Sequence, residues 1–110
     1  MPTPLLLILT TAPDQKTAKL LAKSLVEQRL AACVNILPQA TSIYEWKGKV
    51  ECSDESLLLI KSTRQNYTAV EAALRELHPY ELPEIIAVPV EQGLQGYLDW
   101  VERCTDTDIS

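Results

Sequence analysis

Thr41-Ser-Ile-Tyr-Glu-Trp-Lys-Gly-Lys-Val-Glu-Cys52 is the stretch that decides the fold. Apolar, β-branched and aromatic residues run up to Trp46 and resume at Val50, with Lys47-Gly48 between them, the pattern of a β-hairpin. Lys-Gly is a weaker two-residue turn than Asn-Gly because lysine resists positive φ, so three- and four-residue loops stay open. Both arms lengthen outward. Cys33-Val-Asn-Ile-Leu37 extends the incoming arm and Ser56-Leu-Leu-Leu-Ile-Lys61 the outgoing one, giving a hairpin from about Ala32 to Ser62. A single strand from Lys49 to Lys61 would span roughly 40 Å at about 3.3 Å per residue. A domain of this length has a diameter near ~34 Å. Such a hairpin overhangs its own domain and exposes Ile43, Tyr44, Trp46 and Val50, which invites packing on a neighbouring subunit. A break at Ser53-Asp54-Glu55 would instead give two ordinary hairpins. Pro38-Gln39-Ala40 interrupts the incoming arm. Proline cannot donate to a ladder, so a bulge or bend is expected there.

The flanking chain supplies the other elements. Leu5–Leu9 is a continuous apolar run, too short for a helix, and reads as a strand buried on both faces. Pro13 suits the first position of a helix and Asp14 its positive end. Ala18, Leu21, Ala22 and Leu25 then recur at helical spacing to about Arg29. Thr63 is placed to cap a second helix over 64–77, with Val70, Ala73, Leu74 and Leu77 inward and Tyr67 at the edge. His78-Pro79 ends it, since a residue before proline avoids the helical region. Tyr80–Glu84 is an extended loop. Ile85–Val90 is a strand that Pro89 demotes to an edge or a bulge. Gly93 opens a short third helix with Leu94, Tyr97, Leu98 and Val101 on one side. The order is α+β: a ferredoxin-like βαββαβ sandwich with a long central β-hairpin and an extra C-terminal helix. Residues 1–104 read as one domain, and 105–110 as a frayed polar tail. The sheet face without helices has to be covered, which again points to an oligomer.

Composition bounds the function. The 110 residues carry a formal net charge of −5 and no Phe, so Leu, Ile, Val and Ala must build the single core. Lysines and arginines are scattered, which argues against a nucleic-acid face. Cys33, Cys52 and Cys104 are odd in number and widely spaced, a poor disulfide or zinc pattern, and fit reduced thiols in a cytoplasmic protein. No run is long enough to span a bilayer or to serve as a signal peptide.

No nucleophile motif, glycine-rich phosphate loop or dense metal-ligand motif is present, and no enzyme is expected. The stretch richest in chemistry is Leu77-His78-Pro-Tyr-Glu-Leu-Pro-Glu84, where the only histidine sits beside a phenol and carboxylates on a proline-stiffened loop. His78 is either a metal ligand, given convergent groups from an oligomer, or a side chain bonding carbonyls at the helix end. Cys33 reads as a small hydrophobe on a strand. Lys61 either snorkels to the surface or pairs with a carboxylate such as Glu84. Trp46 and Tyr44 read as interface anchors.

Thr11-Ala-Pro-Asp14, Leu30-Ala-Ala-Cys-Val-Asn35, Ser42-Ile-Tyr-Glu-Trp-Lys-Gly48, Leu59-Ile-Lys61, His78-Pro-Tyr-Glu-Leu-Pro-Glu84 and Tyr97-Leu-Asp-Trp100 together resemble the CutA family of divalent-cation tolerance proteins. The match covers about Leu5 to Val101. The resemblance implies a homotrimer of ferredoxin-like protomers, similar in shape to the PII signalling proteins. It implies a cytoplasmic location and a response to copper or another divalent cation. Family copper binding involves a cysteine just before the Thr-Ala-Pro-Asp motif and a His-His pair before Pro-Tyr. Here Thr10 and Leu77 stand at two of those positions, and His78 alone is kept. Threonine is a poor ligand for a soft metal and leucine is none. The implied alternative is a PII-like signalling or adaptor trimer without a physiological metal. It would bind a small molecule or protein partner in an intersubunit cleft lined by Cys33, Trp46, Lys61, Tyr80 and Glu84.

Overall fold

The computed structural model describes residues 3–106. In chain order the elements are β1 (Leu5–Ala12), α1 (Gln15–Glu27), β2 (Cys33–Trp46), β3 (Lys49–Thr63), α2 (Tyr67–Leu77), β4 (Ile85–Pro89) and α3 (Gln95–Cys104). The four strands form one antiparallel sheet in the order β2-β3-β1-β4, the ferredoxin-like arrangement expected from the element order. The apolar run of β1 lies in the interior of the sheet, paired to β3 on one side and β4 on the other. β4, with its proline, is an edge strand.

The β2–β3 hairpin is continuous. Thr41 and Ala40 lie opposite Asp54 and Glu55, so the strand does not break at Ser53-Asp54-Glu55. The molecule measures 46 × 28 × 22 Å, the long axis being that of a hairpin overrunning the domain. Trp46 pairs with Lys49, leaving a two-residue turn with φ of 52° at Lys47 and 82° at Gly48. Positive φ at both positions defines a type I′ turn, whose twist matches the strands. Lysine therefore accepts a left-handed conformation it would otherwise avoid. Its ammonium lies 5.6 Å from the Trp46 ring centroid. The interruption at Pro38 is a bulge: register shifts between Leu37 and Ala40, with φ of 61° at Gln39.

Strand alternation divides the apolar residues between the sheet faces. Leu6, Ile8, Leu58 and Ile60 pack under Ala18, Leu21 and Leu25 of α1 and Val70 and Leu74 of α2. Leu5, on the opposite face, packs with Leu98 and Val101 of α3, which covers one end of that face. A Cβ at Gly93 would stand 2.9 Å from Leu98 Cδ2, so a side chain there would displace the Leu98 methyl. The rest of that face is open. Leu7 shares a row with Lys61 and Val88, and Leu9 with Leu59 and Ile86. Val88 and Ile86 are 44% and 50% exposed.

Several helix ends differ from the sequence reading. Pro13 is not the first helical residue of α1, because Asp14 itself is the N-cap. Its backbone is extended and its Oδ1 accepts the Thr17 N–H at 2.7 Å, so Pro13 precedes the cap. That bond holds the Asp14 carboxyl below its ordinary value. α1 stops at Glu27 because Arg29 turns to φ 60° and Leu30 N–H closes on Leu25 O at 2.9 Å. Thr63 caps only the turn before α2, accepting Asn66 N–H at 3.3 Å, and the helix starts at Tyr67. Leu77 is 41% exposed rather than inward. The frayed tail does not begin at Thr105. That residue is buried, with Oγ1 donating to Val101 O at 2.9 Å and its carbonyl accepting from Asn66 Nδ2 at 3.0 Å. Residues 107–110 lie outside the described residues.

Candidate functional site

The loop after α2 folds back over the end of β1. His78 is the C-cap residue of α2, its N–H bonded to Leu74 O at 2.8 Å, and proline at 79 holds the next step extended. This geometry swings the ring inward to 8% exposure. Nε2 lies 2.7 Å from the carbonyl oxygen of Thr11, and Tyr80 N–H donates to Nδ1 at 3.2 Å. A carbonyl only accepts and an amide N–H only donates, so the two partners together select the neutral Nε2–H tautomer. Tyr80 packs against the ring with centroids 4.7 Å apart. Its phenol donates to Glu55 Oε2 at 2.6 Å. Burial, and after it the bond to Glu55, pushes the Tyr80 phenol far above its ordinary range, so it remains the donor.

The other candidate residues stand elsewhere. Cys33 and Lys61 are opposite each other on β2 and β3. The Lys61 ammonium is tied to Asn35 Oδ1, and the Cys33 thiol is in hydrogen-bonding contact with the Tyr97 phenol. The proposed Lys61–Glu84 pair is absent. Lys61 is in register with Leu7, whereas Glu84 precedes Ile85, the partner of Thr10 three residues further along β1. Trp46 lies thirteen residues along β2 from Cys33, roughly 40 Å for an extended strand. One protomer therefore does not gather Cys33, Trp46, Lys61, Tyr80 and Glu84 into one cleft. Glu55, a central member of the loop cluster, was missed in the sequence. Its signal was period two: Glu55, Leu57, Leu59 and Lys61 share one face of β3.

Within one protomer the same geometry leaves His78 no free ring lone pair for copper. A metal needs the lone pair of an unprotonated ring nitrogen. Here that lone pair, on Nδ1, accepts the Tyr80 N–H. Thr10 is fully buried in the helix-facing layer between Leu58 and Ile85, and Leu77 carries no donor atom. Among the described residues no three His, Cys, Asp or Glu side chains converge as a metal site would require.

The sequence model of the CutA1 divalent ion tolerance protein family matches residues 6–104. The chain belongs to the CutA1 family. It is 52% identical over 97 residues to Protein CutA of Mus musculus, covering 88% of this chain and 55% of that protein. It is 47% identical over 98 residues to the divalent-cation tolerance protein CutA of Thermus thermophilus, covering 89% of this chain and 95% of that one. The crystal structure of CutA from Xylella fastidiosa superposes with a TM-score of 0.92 at 45% identity, covering 94% of this chain and all of the other. The chain thus spans about half the length of its mammalian CutA relatives but most of the length of the bacterial ones. A CutA protein of Arabidopsis thaliana is named chloroplastic and one of Archaeoglobus fulgidus periplasmic. Among the described residues of this CutA1 family member, no helix is long and apolar enough to cross a membrane.

Proposed function

We propose that this chain serves divalent-cation tolerance as a cytosolic homotrimer and acts as a binding or signalling module rather than a catalyst. The open sheet face carries the proposal. Leu7, Leu9, Leu57, Leu59, Ile86 and Val88 form a continuous apolar surface, and beyond it the hairpin presents Tyr44 and Trp46, 43% and 37% exposed. Apolar surface of this extent marks an interaction site, and aromatic anchors are enriched at interfaces. The number three comes from the family resemblance. The three free thiols favour a reducing compartment. Sedimentation equilibrium is expected to give three times the 12.3 kDa chain mass. A strictly monomeric mass would overturn the self-association.

In this reading the response to the metal does not pass through a copper ion on His78, whose ring serves to fix the loop. The cleft between subunits takes a small molecule or protein partner instead. Calorimetric titration of Cu(II) into wild type and His78→Ala, with thiols blocked in parallel, is expected to give the same isotherm for both. Ring ¹⁵N shifts are expected to report the neutral Nε2–H tautomer and to stay put on adding Cu(II). Tight binding abolished by His78→Ala would refute this reading and restore the metal one.

A further inference from the structure

Glu55 is a carboxylate in an unusual setting. It is 8% exposed, yet among the described residues no lysine, arginine or histidine pairs with it. Its only hydrogen bond is the neutral one from Tyr80 to Oε2. Oε1 has no partner, but unlike Thr10 Oγ1 it is not sealed from solvent. Buried carboxylates are paired with cations or neutralised, because desolvating a lone charge costs several kcal/mol. The register places Glu55 on the open face, beside Ala40 and one row from Leu57. Anything that covers the face removes the solvent that Oε1 still sees.

We propose that Glu55 and Tyr80 form a receptor for one alkylammonium or guanidinium group, approached from the open face of the sheet. The chemistry favours an organic cation over a divalent metal. Hard metal ions take six or more oxygen ligands, and one carboxylate oxygen with a phenol is far from such a set. An ammonium or guanidinium needs one carboxylate and profits from an aromatic face, which Tyr80, tilted at 49° to the His78 ring, supplies. Tyr44 rises from the same face of the hairpin, its hydroxyl 3.2 Å from Ser53 Oγ, and adds a third ring near the phenol. His78 is a positioning residue here. By accepting Tyr80 N–H it sets the loop that aims the phenol at Glu55. The cation comes either from a free amine or from a basic side chain of a second copy. The first source stands on the protomer alone; the second rests on the self-association proposed above.

The test uses the full chain with n-butylammonium and methylguanidinium as probes and n-butanol as the uncharged control. Binding is read from NMR shifts at Leu57 and Tyr80, and self-association by sedimentation. Glu55→Gln keeps an acceptor for Tyr80 O–H and removes the charge. If the source is free, wild type binds the cations and not butanol, and Glu55→Gln weakens that binding at least tenfold with the assembly unchanged. If the source is the second copy, the assembled protein ignores the probes and Glu55→Gln weakens association at least tenfold. The proposal is overturned if Glu55→Gln changes neither readout. It is also overturned if wild type, which requires no variant to fold, shows neither selectivity for cation over butanol nor salt-sensitive association. A monomeric mass with cation binding intact would remove the trimer alone. A trimeric mass with both arms negative would remove this receptor alone.

Discussion

Thr10→Val is expected to stabilise the protein. Thr10 is fully buried on β1, in register with Leu58 and Ile85, and its Oγ1 is the only fully buried side-chain polar atom without a hydrogen-bond partner among the described residues. A hydroxyl desolvated without a partner costs about 1–3 kcal/mol. Valine keeps the β-branch that suits a strand and replaces the hydroxyl with a methyl, which adds up to about 0.8 kcal/mol of apolar burial. Part of this is lost to imperfect fit in a close-packed layer, since a methyl is slightly larger than a hydroxyl. The expected net gain is about 1–2 kcal/mol. With urea slopes of about 1–3 kcal/mol per M, the midpoint should rise by roughly 0.3–2 M with unchanged slope. Protein concentration must be held equal, because association would add to apparent stability. Thr10→Cys is expected to fall between threonine and valine. A lower midpoint for Thr10→Val would refute the reasoning, because it would mean that the hydroxyl has a partner in solution.

Two further outcomes follow from local geometry. Arg29 Nη2 donates to Arg103 O at 2.8 Å and Asp106 O at 3.2 Å, holding the C-terminal end of α3 from a left-handed backbone position. Arg29→Ala should cost about 1–2 kcal/mol through these charge-assisted bonds, whereas Arg29→Gly should cost less because glycine relieves the positive φ; equal losses would show that backbone strain there is negligible. Asp14→Ala should destabilise α1 in a pH-dependent way. The folded-state carboxyl is depressed by the Thr17 N–H, so its stabilisation is present above its ordinary value near 3.8 and is lost as pH falls through the lower folded value. Wild-type and Asp14→Ala denaturation curves should therefore differ at neutral pH and converge in acid, and a gap that persisted in acid would contradict the capping role.

Much of the fold was legible because its signals are local. The alternation through Ile43–Trp46 and Val50–Cys52 specified a hairpin, Pro38 marked the bulge, and the apolar run Leu5–Leu9 required an interior strand. The overhang followed from strand rise against domain size and is matched by the 46 Å axis. Helix ends were less legible. Pro13 and Asp14 competed for the same helix start, and the side-chain bond to Thr17 decided between them.

By itself, then, the sequence determined the element order, the division of apolar residues between two sheet faces, and the family. These depend on period, turn chemistry and residue types within a few positions of one another. Only the tertiary structure decided the site. His78 could be read as a free imidazole until Thr11, sixty-seven residues earlier, supplied the carbonyl that holds Nε2. Glu55 could be read as a surface charge or a strand breaker until Tyr80, twenty-five residues later, closed over it. Lys61 could reach for Glu84 until the sheet register set them rows apart and put Asn35 beside it. The physical reason is the same in each case. Whether a ring nitrogen, a carboxylate or an ammonium is free depends on the donors and acceptors that folding brings to it from distant strands, and spacing along the chain does not encode those partners.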